Sequence, residues 1–211
     1  MSILIDIRDP SWIREQELRD ILAPLLPGVN IFCEKASGQE GEILMLATVK
    51  LFPGVVKELP NLKLVQKLGA GVDGILSDTD LPDSVRVCRL KPNAPALEIA
   101  EYCIAYVLQI QRNIPLHRDN ADKRLWVPVA PKRSSHTTIG VLGMGHIGSK
   151  TALGFASLGF RVIGWSRSAK KLEGVECRFG RDELPAMLSE CDYVASILPS
   201  TPETRSLFNV D

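Results

Sequence analysis

Short apolar runs alternate with amphipathic segments along the first 95 residues. Helical periodicity predicts a helix in PSWIREQELRDILAPL (10–25) and a shorter helix around PGVVKELP (53–60). Strands are predicted in ILIDI (3–7), VNIFCE (29–34), EILMLA (42–47), LKLVQKLG (62–69) and RVCRL (86–90). Strands that alternate with helices indicate a parallel sheet covered on both faces. We therefore expect residues 1–95 to form one small α/β domain.

A connector that contains prolines, LKPNAPA (90–96), follows this domain. The next segment, LEIAEYCIAYVLQIQRNI (97–114), predicts a long helix whose apolar residues extend round more than one side. Such a helix is expected to be buried between domains or between subunits. The segment 115–136 is polar and contains prolines, which predicts a loop.

A second α/β pattern begins at Thr137 and gives strand, tight turn, helix and strand in succession. Strands are predicted in TIGVL (138–142), RVIGW (161–165), ECRF (176–179) and YVASIL (193–198). A doubly wound dinucleotide fold has six strands. We therefore expect residues 96–211 to form a truncated cofactor domain that opens with the long helix.

Composition narrows the class of function. Lys plus Arg equals Asp plus Glu at 25 each, so no net field favours nucleic acid or an anionic membrane. No stretch is apolar enough to cross a bilayer, and the N-terminus lacks the pattern of a signal peptide, which indicates a cytoplasmic protein. The five cysteines without CxxC spacing indicate reduced thiols, and the three histidines predict no metal site. Small-molecule chemistry is therefore the favoured class.

The segment GMGHIG (143–148) places three glycines in the G-x-G-x-x-G spacing typical of dinucleotide binding. The spacing alone is weak evidence, but here a predicted strand precedes it and a helix and strand follow it. We expect Gly143 to make the tight turn, Gly145 to let the backbone approach a pyrophosphate, and Gly148 to let the helix pack on the strand. The alternative is a glycine-rich turn with a structural role only.

His146 and Ile147 complete the predicted cofactor-binding turn. Free N–H groups and the positive end of the helix dipole would face the cofactor phosphates there. His146 is expected to contribute its backbone amide, not to act as a catalytic acid or base.

The second strand of this unit ends in Ser166-Arg167-Ser168, where an NAD-binding fold carries an acidic residue for the adenosine ribose. A guanidinium with neighbouring hydroxyls binds a 2′-phosphate through charge-assisted hydrogen bonds, whereas an acid would repel it. The segment therefore predicts that NADP is preferred over NAD. The alternative is a solvated basic turn that does not contact the ribose.

Four segments together resemble the D-isomer-specific 2-hydroxyacid dehydrogenases, especially the glyoxylate/hydroxypyruvate reductase branch. They are KLGAGVDGI (67–75), NAPALEIAEYCIAYVL (93–108), GVLGMGHIG (140–148) and CDYVASILPSTPETRSLFN (191–209). The resemblance implies an α/β fold with two doubly wound parallel-sheet domains, a flavodoxin-like substrate domain and a Rossmann cofactor domain. It also implies a homodimer through the 97–113 helix and the following loop. Trp126 is expected either to shape a pocket or to pack at a dimer interface, and packing is favoured because the aromatic residue lies beside prolines.

The resemblance implies roles for residues outside the glycine turn. The backbone amides of Ala70 and Gly71 would bind the carboxylate of a small 2-keto acid, and a glycine-rich turn after a strand suits an anion. The alternative is a plain left-handed turn. Leu198, Pro199 and Ser200 match the family loop that lies against the cofactor. Asp192 is interpreted as a residue at a helix end or strand start, not as a catalytic acid.

The arginine, glutamate and histidine that catalyse the family's reaction follow LPSTPETRSLFN, so no residue of this chain is predicted to be catalytic. The chain is expected to be a truncated, proteolytic or frameshifted product that binds at most the adenine half of the cofactor well and has no turnover. Its predicted function is hydride transfer between NADP(H) and a small 2-keto acid. The alternatives are a dinucleotide-sensing binding protein and a catalytically dead scaffold.

Overall fold

Two parallel sheets form the structure, a computed structural model that describes residues 2–9, 11–34, 38–91 and 93–209. Each sheet belongs to its own compact unit, Met1–Lys91 or Pro92–Asp211. The predicted fold class, α/β with two doubly wound parallel-sheet domains, is confirmed.

The strands of the first unit are β1 (Ser2–Asp6), β2 (Asn30–Phe32), β3 (Ile43–Thr48), β4 (Leu64–Lys67) and β5 (Arg86–Arg89). Its helices are α1 (Glu15–Leu22) and α2 (Asp73–Leu76), with short 3-10 turns at Ala23–Leu25 and Glu40–Glu42. The strands are all parallel and have the order β2-β1-β3-β4-β5 in the sheet. This is the flavodoxin-like order that the resemblance implies.

Side chains alternate between the two faces of this sheet, and each face has its own core. Leu4, Leu46 and Val65 are partners in register and lie in the core that also holds the 51–62 segment. Ile5 and Ala47 lie in the core of the opposite face, which packs against α1. Both faces are therefore covered, as the alternation of strands and helices predicts.

The prediction of a helix around PGVVKELP (53–60) is wrong. Residues 53–58 form successive turns in which Val55 donates to the carbonyl of Phe52 and Leu59 to that of Val56. Gly54 has φ of +78°, a left-handed value that a regular α-helix does not accommodate. The apolar residues of the segment nevertheless pack on the sheet, so their helix-like spacing reflects burial and not helical structure.

The strands of the second sheet are β6 (Thr138–Leu142), β7 (Arg161–Ser166), β8 (Glu176–Phe179) and β9 (Tyr193–Ser196). Within the described residues they are all parallel and have the order β8-β7-β6-β9. The helices are α3 (Asn93–Gln111), α4 (Ile114–Asp122), α5 (His146–Ser157) and α6 (Leu184–Glu190), with a 3-10 turn at Ser134–His136.

Two boundaries differ from those expected. Helix α3 begins at Asn93, within the predicted connector, because Pro95 lies in the first helical turn, where a missing N–H costs no hydrogen bond. Pro92 lies outside the described residues. The loop predicted from residue 115 is wrong for 115–122, because Asn113 with φ of +53° separates the end of α3 from α4, which begins at Ile114 with Pro115 in its first turn.

Helix α3 is buried on one side within its unit. Cys103, Ile104 and Val107 pack against the apolar cluster of β6 and α5. The two helices approach so closely that a Cβ added to Gly154 would lie 2.8 Å from Cδ1 of Ile104. The opposite side is exposed and bears Tyr102 and Tyr106, whose ring centres lie 4.6 Å apart.

None of the helices in the described residues is both long enough and apolar enough to cross a membrane.

Candidate functional site

The glycine turn joins the carboxyl end of β6 to the start of α5. Gly143 has φ of +98°, and its amide donates to the carbonyl of Trp165 at 2.8 Å. A Cβ at this position would lie 2.9 Å from the carbonyl oxygen of Ile197, just after β9. Both the backbone conformation and the lack of space therefore require glycine.

The other two glycines of the motif differ in their surroundings. A Cβ at Gly145 would meet no atom within 4 Å, so the backbone before α5 borders open space. A Cβ at Gly148 would overlap the carbonyl oxygen of Gly143, so the first turn of α5 packs directly on the loop. The geometry fits a pyrophosphate: the helix start is open on the ligand side and tightly packed on the other.

The contact between Met144 and Gly164, which packs the glycine turn against β7, was not predicted from the sequence. Met144 is buried, and a Cβ at Gly164 of β7 would overlap its sulfur. Gly164 therefore makes room in the middle of a strand for the side chain between the first two glycines of the motif. The signal was an isolated glycine inside a strand pattern, which often marks a close approach.

Ser166 is the last residue of β7 and is only 8% exposed. Its hydroxyl donates to the carbonyl of Ser168 at 2.8 Å, and its own carbonyl accepts from the amide of Gly180 at 3.1 Å. A hydroxyl has one proton to donate. In this structure Ser166 therefore shapes the turn, and direct donation to a phosphate would require this bond to break.

Arg167 and Ser168 follow on the surface and are exposed. A second arginine lies in the same region: Nη2 of Arg181 donates to the carbonyl of Glu203 at 3.2 Å. The hydrogen bond from Thr201, together with the charges of Arg167 and Arg181, lowers the pKa of Glu203. Arg167 and Arg181 therefore both lie near the carboxylate of Glu203, whose negative charge offsets part of theirs, and Arg181 was not predicted.

Leu198, Pro199 and Ser200 follow β9 and line a cleft of about 320 Å³ together with residues 204–208. The methyl group Cδ2 of Leu198 would lie 3.2 Å from a Cβ on Gly143, so this loop borders the glycine turn. The hydroxyl of Thr204 donates to the carbonyl of Pro199 and holds the loop to the segment after it.

Asp192 lies at the other end of the sheet, directly before β9. Its carboxylate accepts from the amide of Thr138 at 2.9 Å and from Nζ of Lys132 at 2.5 Å. The bond from Lys132, followed by that from Thr138, lowers the pKa of Asp192. Asp192 therefore joins the starts of β6 and β9, in agreement with its interpretation as a residue at a strand start.

The predicted substrate turn lies after β4. Neither Gly69 nor Gly71 has a positive φ, so this is not a plain left-handed turn. Within the described part of the chain, the hydrogen bonds of this region leave the amides of Ala70 and Gly71 without an acceptor. A Cβ on Gly71 would meet no atom within 4 Å, so there is open space beside these two donors.

The three histidines are exposed and lie far apart in sequence and in the fold. His117 is in α4, His136 precedes the amino end of β6, and His146 is the first residue of α5. The five cysteines are free, and no group of side chains in the described residues is suited to hold a metal ion. No catalytic acid follows from this arrangement.

The sequence was compared with known families and proteins. The family model for the D-isomer specific 2-hydroxyacid dehydrogenase, NAD binding domain, matches residues 104–211. Glyoxylate/hydroxypyruvate reductase A of Enterobacter sp. (strain 638) is 38% identical over 205 residues, which are 95% of this chain and 63% of that protein. The reductase A of Yersinia enterocolitica is 36% identical over 154 residues, which are 71% of this chain and 49% of that protein.

Solved structures give the same result. A D-isomer specific 2-hydroxyacid dehydrogenase from Xanthobacter autotrophicus Py2, in complex with NADPH and MES, has a TM-score of 0.87 and 36% identity over 98% of this chain and 66% of that one. The NADPH-dependent glyoxylate/hydroxypyruvate reductase of Sinorhizobium meliloti, in complex with NADP and sulfate, has a TM-score of 0.84 and 30% identity. That match covers 99% of this chain and 65% of that one.

The chain spans 49% to 63% of the length of the two named reductases. The family model covers residues 104–211, and the Enterobacter reductase aligns with 95% of this chain, so both units contribute to the resemblance. The chain belongs to the D-isomer-specific 2-hydroxyacid dehydrogenase family and resembles its glyoxylate/hydroxypyruvate reductase branch.

Proposed function

We propose that this chain binds NADP(H) and a small 2-keto acid of the glyoxylate or hydroxypyruvate type, for hydride transfer between them. The observation that carries the proposal is the turn between β6 and α5, where a Cβ at Gly145 would meet open space and Gly143 is bonded to the strand that delivers Arg167. The named relatives favour this function over a dinucleotide sensor or a scaffold.

The preference for NADP(H) rests on Arg167. Its exposed guanidinium follows β7 at the position where an acidic residue would bind the ribose of NAD, and Arg181 adds a second positive charge nearby. Contacts of a charged donor with a phosphate contribute about 1.5 to 3 kcal/mol, which corresponds to a preference of roughly ten- to a hundredfold. The cofactors bound in the Xanthobacter and Sinorhizobium structures support this assignment.

The remaining cofactor contacts are proposed from position. The amides of Gly145, His146, Ile147 and Gly148 at the start of α5 would bind the pyrophosphate, because the first N–H groups of a helix have no partner within it. Leu198, Pro199 and Ser200 would lie against the cofactor from the other side of the turn.

The substrate carboxylate is assigned to the amides of Ala70 and Gly71, which have no acceptor within the described residues and lie after β4, where there is open space beside Gly71. The bound nicotinamide would supply or accept the hydride at the substrate carbon. Reaction requires these two carbons within about 3 to 3.5 Å and an acid that protonates the developing alkoxide. We assign that acid to none of the three histidines.

We further propose a homodimer that forms through α3, α4 and the segment after them. This part of the second unit exposes several large apolar side chains, and Trp126 is 94% exposed in the single chain. An apolar surface of this kind marks an interaction site. The exposed apolar residues are Leu97, Ile99, Tyr102, Tyr106, Ile110, Ile114, Leu116, Leu125, Trp126 and Val127.

The free cysteines support the predicted cytoplasmic location.

Binding of both ligands tests the proposed function. The nicotinamide fluorescence of NADPH is titrated with the chain, first alone and then with glyoxylate. Saturable NADPH binding, together with shifts of the Ala70 and Gly71 amide resonances on addition of glyoxylate, is the expected result. A chain with a native circular-dichroism spectrum that binds neither ligand would overturn the proposal, and a dimer without NADPH binding would support the scaffold instead.

A further inference from the structure

Two cations lie side by side at the carboxyl end of the first sheet. β4 ends at Lys67 and β5 at Arg89, and the parallel register makes these two residues partners. Partners in register direct their side chains to the same face of a sheet. Arg89 donates from Nη1 to the carbonyl oxygen of Ala70 at 2.8 Å. Its guanidinium is thus bonded to the turn that we assign to the substrate carboxylate.

The ammonium group of Lys67 also lies at this turn. A Cβ built on Gly69 would lie 3.0 Å from Nζ of Lys67, so the glycine leaves room for the ammonium beside the backbone. Nζ lies 5.9 Å from the centre of the Trp12 ring, which is a cation–π distance. Lys67 is therefore held beside Gly69, directly before Ala70 and Gly71, and does not extend freely into solvent.

No carboxylate of the described residues forms an ion pair with this lysine. Among the ion pairs of the described residues, Arg8 is paired with Asp6, whereas Lys67 and Arg89 have no acidic partner. Burial lowers the pKa of Lys67, and no acidic group offsets that effect. An ammonium that has lost part of its hydration without gaining a carboxylate gains from an incoming anion.

We propose that Lys67, supported by Arg89, forms a second anion subsite beside Ala70 and Gly71, so that the chain prefers 2-keto and 2-hydroxy acids with a second carboxylate. This inference rests on the proposed function, because it takes the two amides as the site of the first carboxylate. The second carboxylate accepts a charge-assisted hydrogen bond from Nζ of Lys67. A monoanion such as glyoxylate satisfies the amides and leaves the lysine unpaired.

A matched pair of ligands tests the subsite on the 211-residue chain. D-malate and D-2-hydroxybutyrate have the same four-carbon chain and differ in a terminal carboxylate or methyl group. Calorimetry at pH 7 gives each affinity, and the amide resonances of residues 70 and 71 report where each ligand binds. We expect D-malate to bind about tenfold more tightly, the value of one charge-assisted hydrogen bond.

Three variants complete the test. Lys67→Met keeps the aliphatic chain and is expected to lose most of the tenfold preference while D-2-hydroxybutyrate still binds. Lys67→Arg is expected to retain the preference. Lys63→Met, at an exposed position before the other end of β4, is the control and is expected to match the wild type.

Each contrary outcome has one meaning. Equal affinities of the wild type for the two ligands, with both shifting the amides of residues 70 and 71, would overturn the subsite and leave the proposed substrate turn intact. A preference that survives Lys67→Met would also overturn the subsite. If neither ligand shifts these amides, the assigned substrate turn is wrong and the subsite falls with it.

Discussion

The amide of Gly143 donates to the carbonyl of Trp165 at 2.8 Å. This bond joins the first glycine of the phosphate turn to the strand residue that precedes Ser166 and Arg167. This hydrogen bond therefore links the two proposed determinants of cofactor binding, the amides at the start of α5 and the guanidinium after β7. A change in the turn is expected to affect both cofactor affinity and cofactor choice.

Alanine at Gly145 and at Gly148 is predicted to act by different routes. A Cβ at Gly148 overlaps the carbonyl of Gly143, so Gly148→Ala should lower the stability by about 1 to 3 kcal/mol and weaken NADPH binding. A Cβ at Gly145 meets only open space, so Gly145→Ala should keep the wild-type melting temperature and lose affinity for NADPH. Thermal unfolding with and without NADPH separates the two, and equal melting temperatures for both variants would contradict the packing described.

The imidazole of His146 is predicted to be dispensable. His146 is the first residue of α5, where proline is tolerated but removes the N–H group. The affinity of His146→Ala for NADPH should lie within about twofold of that of the wild type. The affinity of His146→Pro should be at least several-fold lower, because this variant lacks one backbone N–H that would donate to the pyrophosphate. A large loss in His146→Ala would show that the side chain contacts the cofactor.

Asp192 is predicted to make stability depend on pH. Its pKa is lowered in the folded chain, first by Lys132 and then by the amide of Thr138, so its contribution is present above the unfolded pKa of about 3.9 and is lost as the pH falls through the lower, folded value. Asp192→Asn should reduce the free energy of unfolding at pH 7 by less than about 1 kcal/mol, because the side chain is partly exposed.

Urea unfolding of this variant at pH 7 and at pH 2.5 checks the direction of the effect. The difference from the wild type should shrink at the lower pH, because the carboxylate of Asp192 takes up protons there and loses the charge that asparagine lacks. Asp182→Asn is the control, since Asp182 is exposed and lies outside the ion pairs found in the described residues. A difference that grows towards low pH would contradict the account.

The apolar surface of α3 and α4 is predicted to form the dimer contact. Tyr106→Ser and Trp126→Ser remove exposed aromatic area that contacts no buried cluster of the single chain. Both variants should sediment as monomers at concentrations where the wild type is a dimer, and their melting temperatures at low concentration should be nearly unchanged. Leu153→Ser is the control, because Leu153 is also exposed but lies on α5. A wild-type chain that sediments as a monomer at high concentration would refute the dimer.

Local patterns predicted the elements that build the cofactor turn. Strand β6, the three glycines and helix α5 are contiguous in sequence. The spacing of the glycines predicts where the backbone turns, where it borders open space and where the helix packs closely. The parallel strands were predicted because buried strands form short apolar runs. These features depend on neighbours in the chain, which a sequence displays directly.

The features that sequence reasoning missed depend on distant contacts or single backbone angles. The side chain of Met144 can pack against Gly164 only because β6 and β7 are adjacent in the sheet. The hydrogen bond from Arg181 to Glu203 forms because the loop after β8 contacts the loop after β9. Helix α4 was not predicted, because its sequence is polar and contains a proline. It begins after Asn113, whose φ is left-handed, with Pro115 in its first turn. The turns at 53–58 were mistaken for a helix, because the apolar residues of this segment have the spacing typical of a helix.

The most direct test of the account is the affinity of the chain for NADPH and NADH, measured side by side by calorimetry for the wild type and for Arg167→Gln. Lys171→Gln, an exposed residue beyond the turn, is the control. We predict that the wild type binds NADPH roughly ten- to a hundredfold more tightly than NADH, that Lys171→Gln keeps this ratio, and that Arg167→Gln loses most of it through weaker NADPH binding. Equal affinities of the wild type for the two cofactors, or an unchanged ratio in Arg167→Gln, would contradict it.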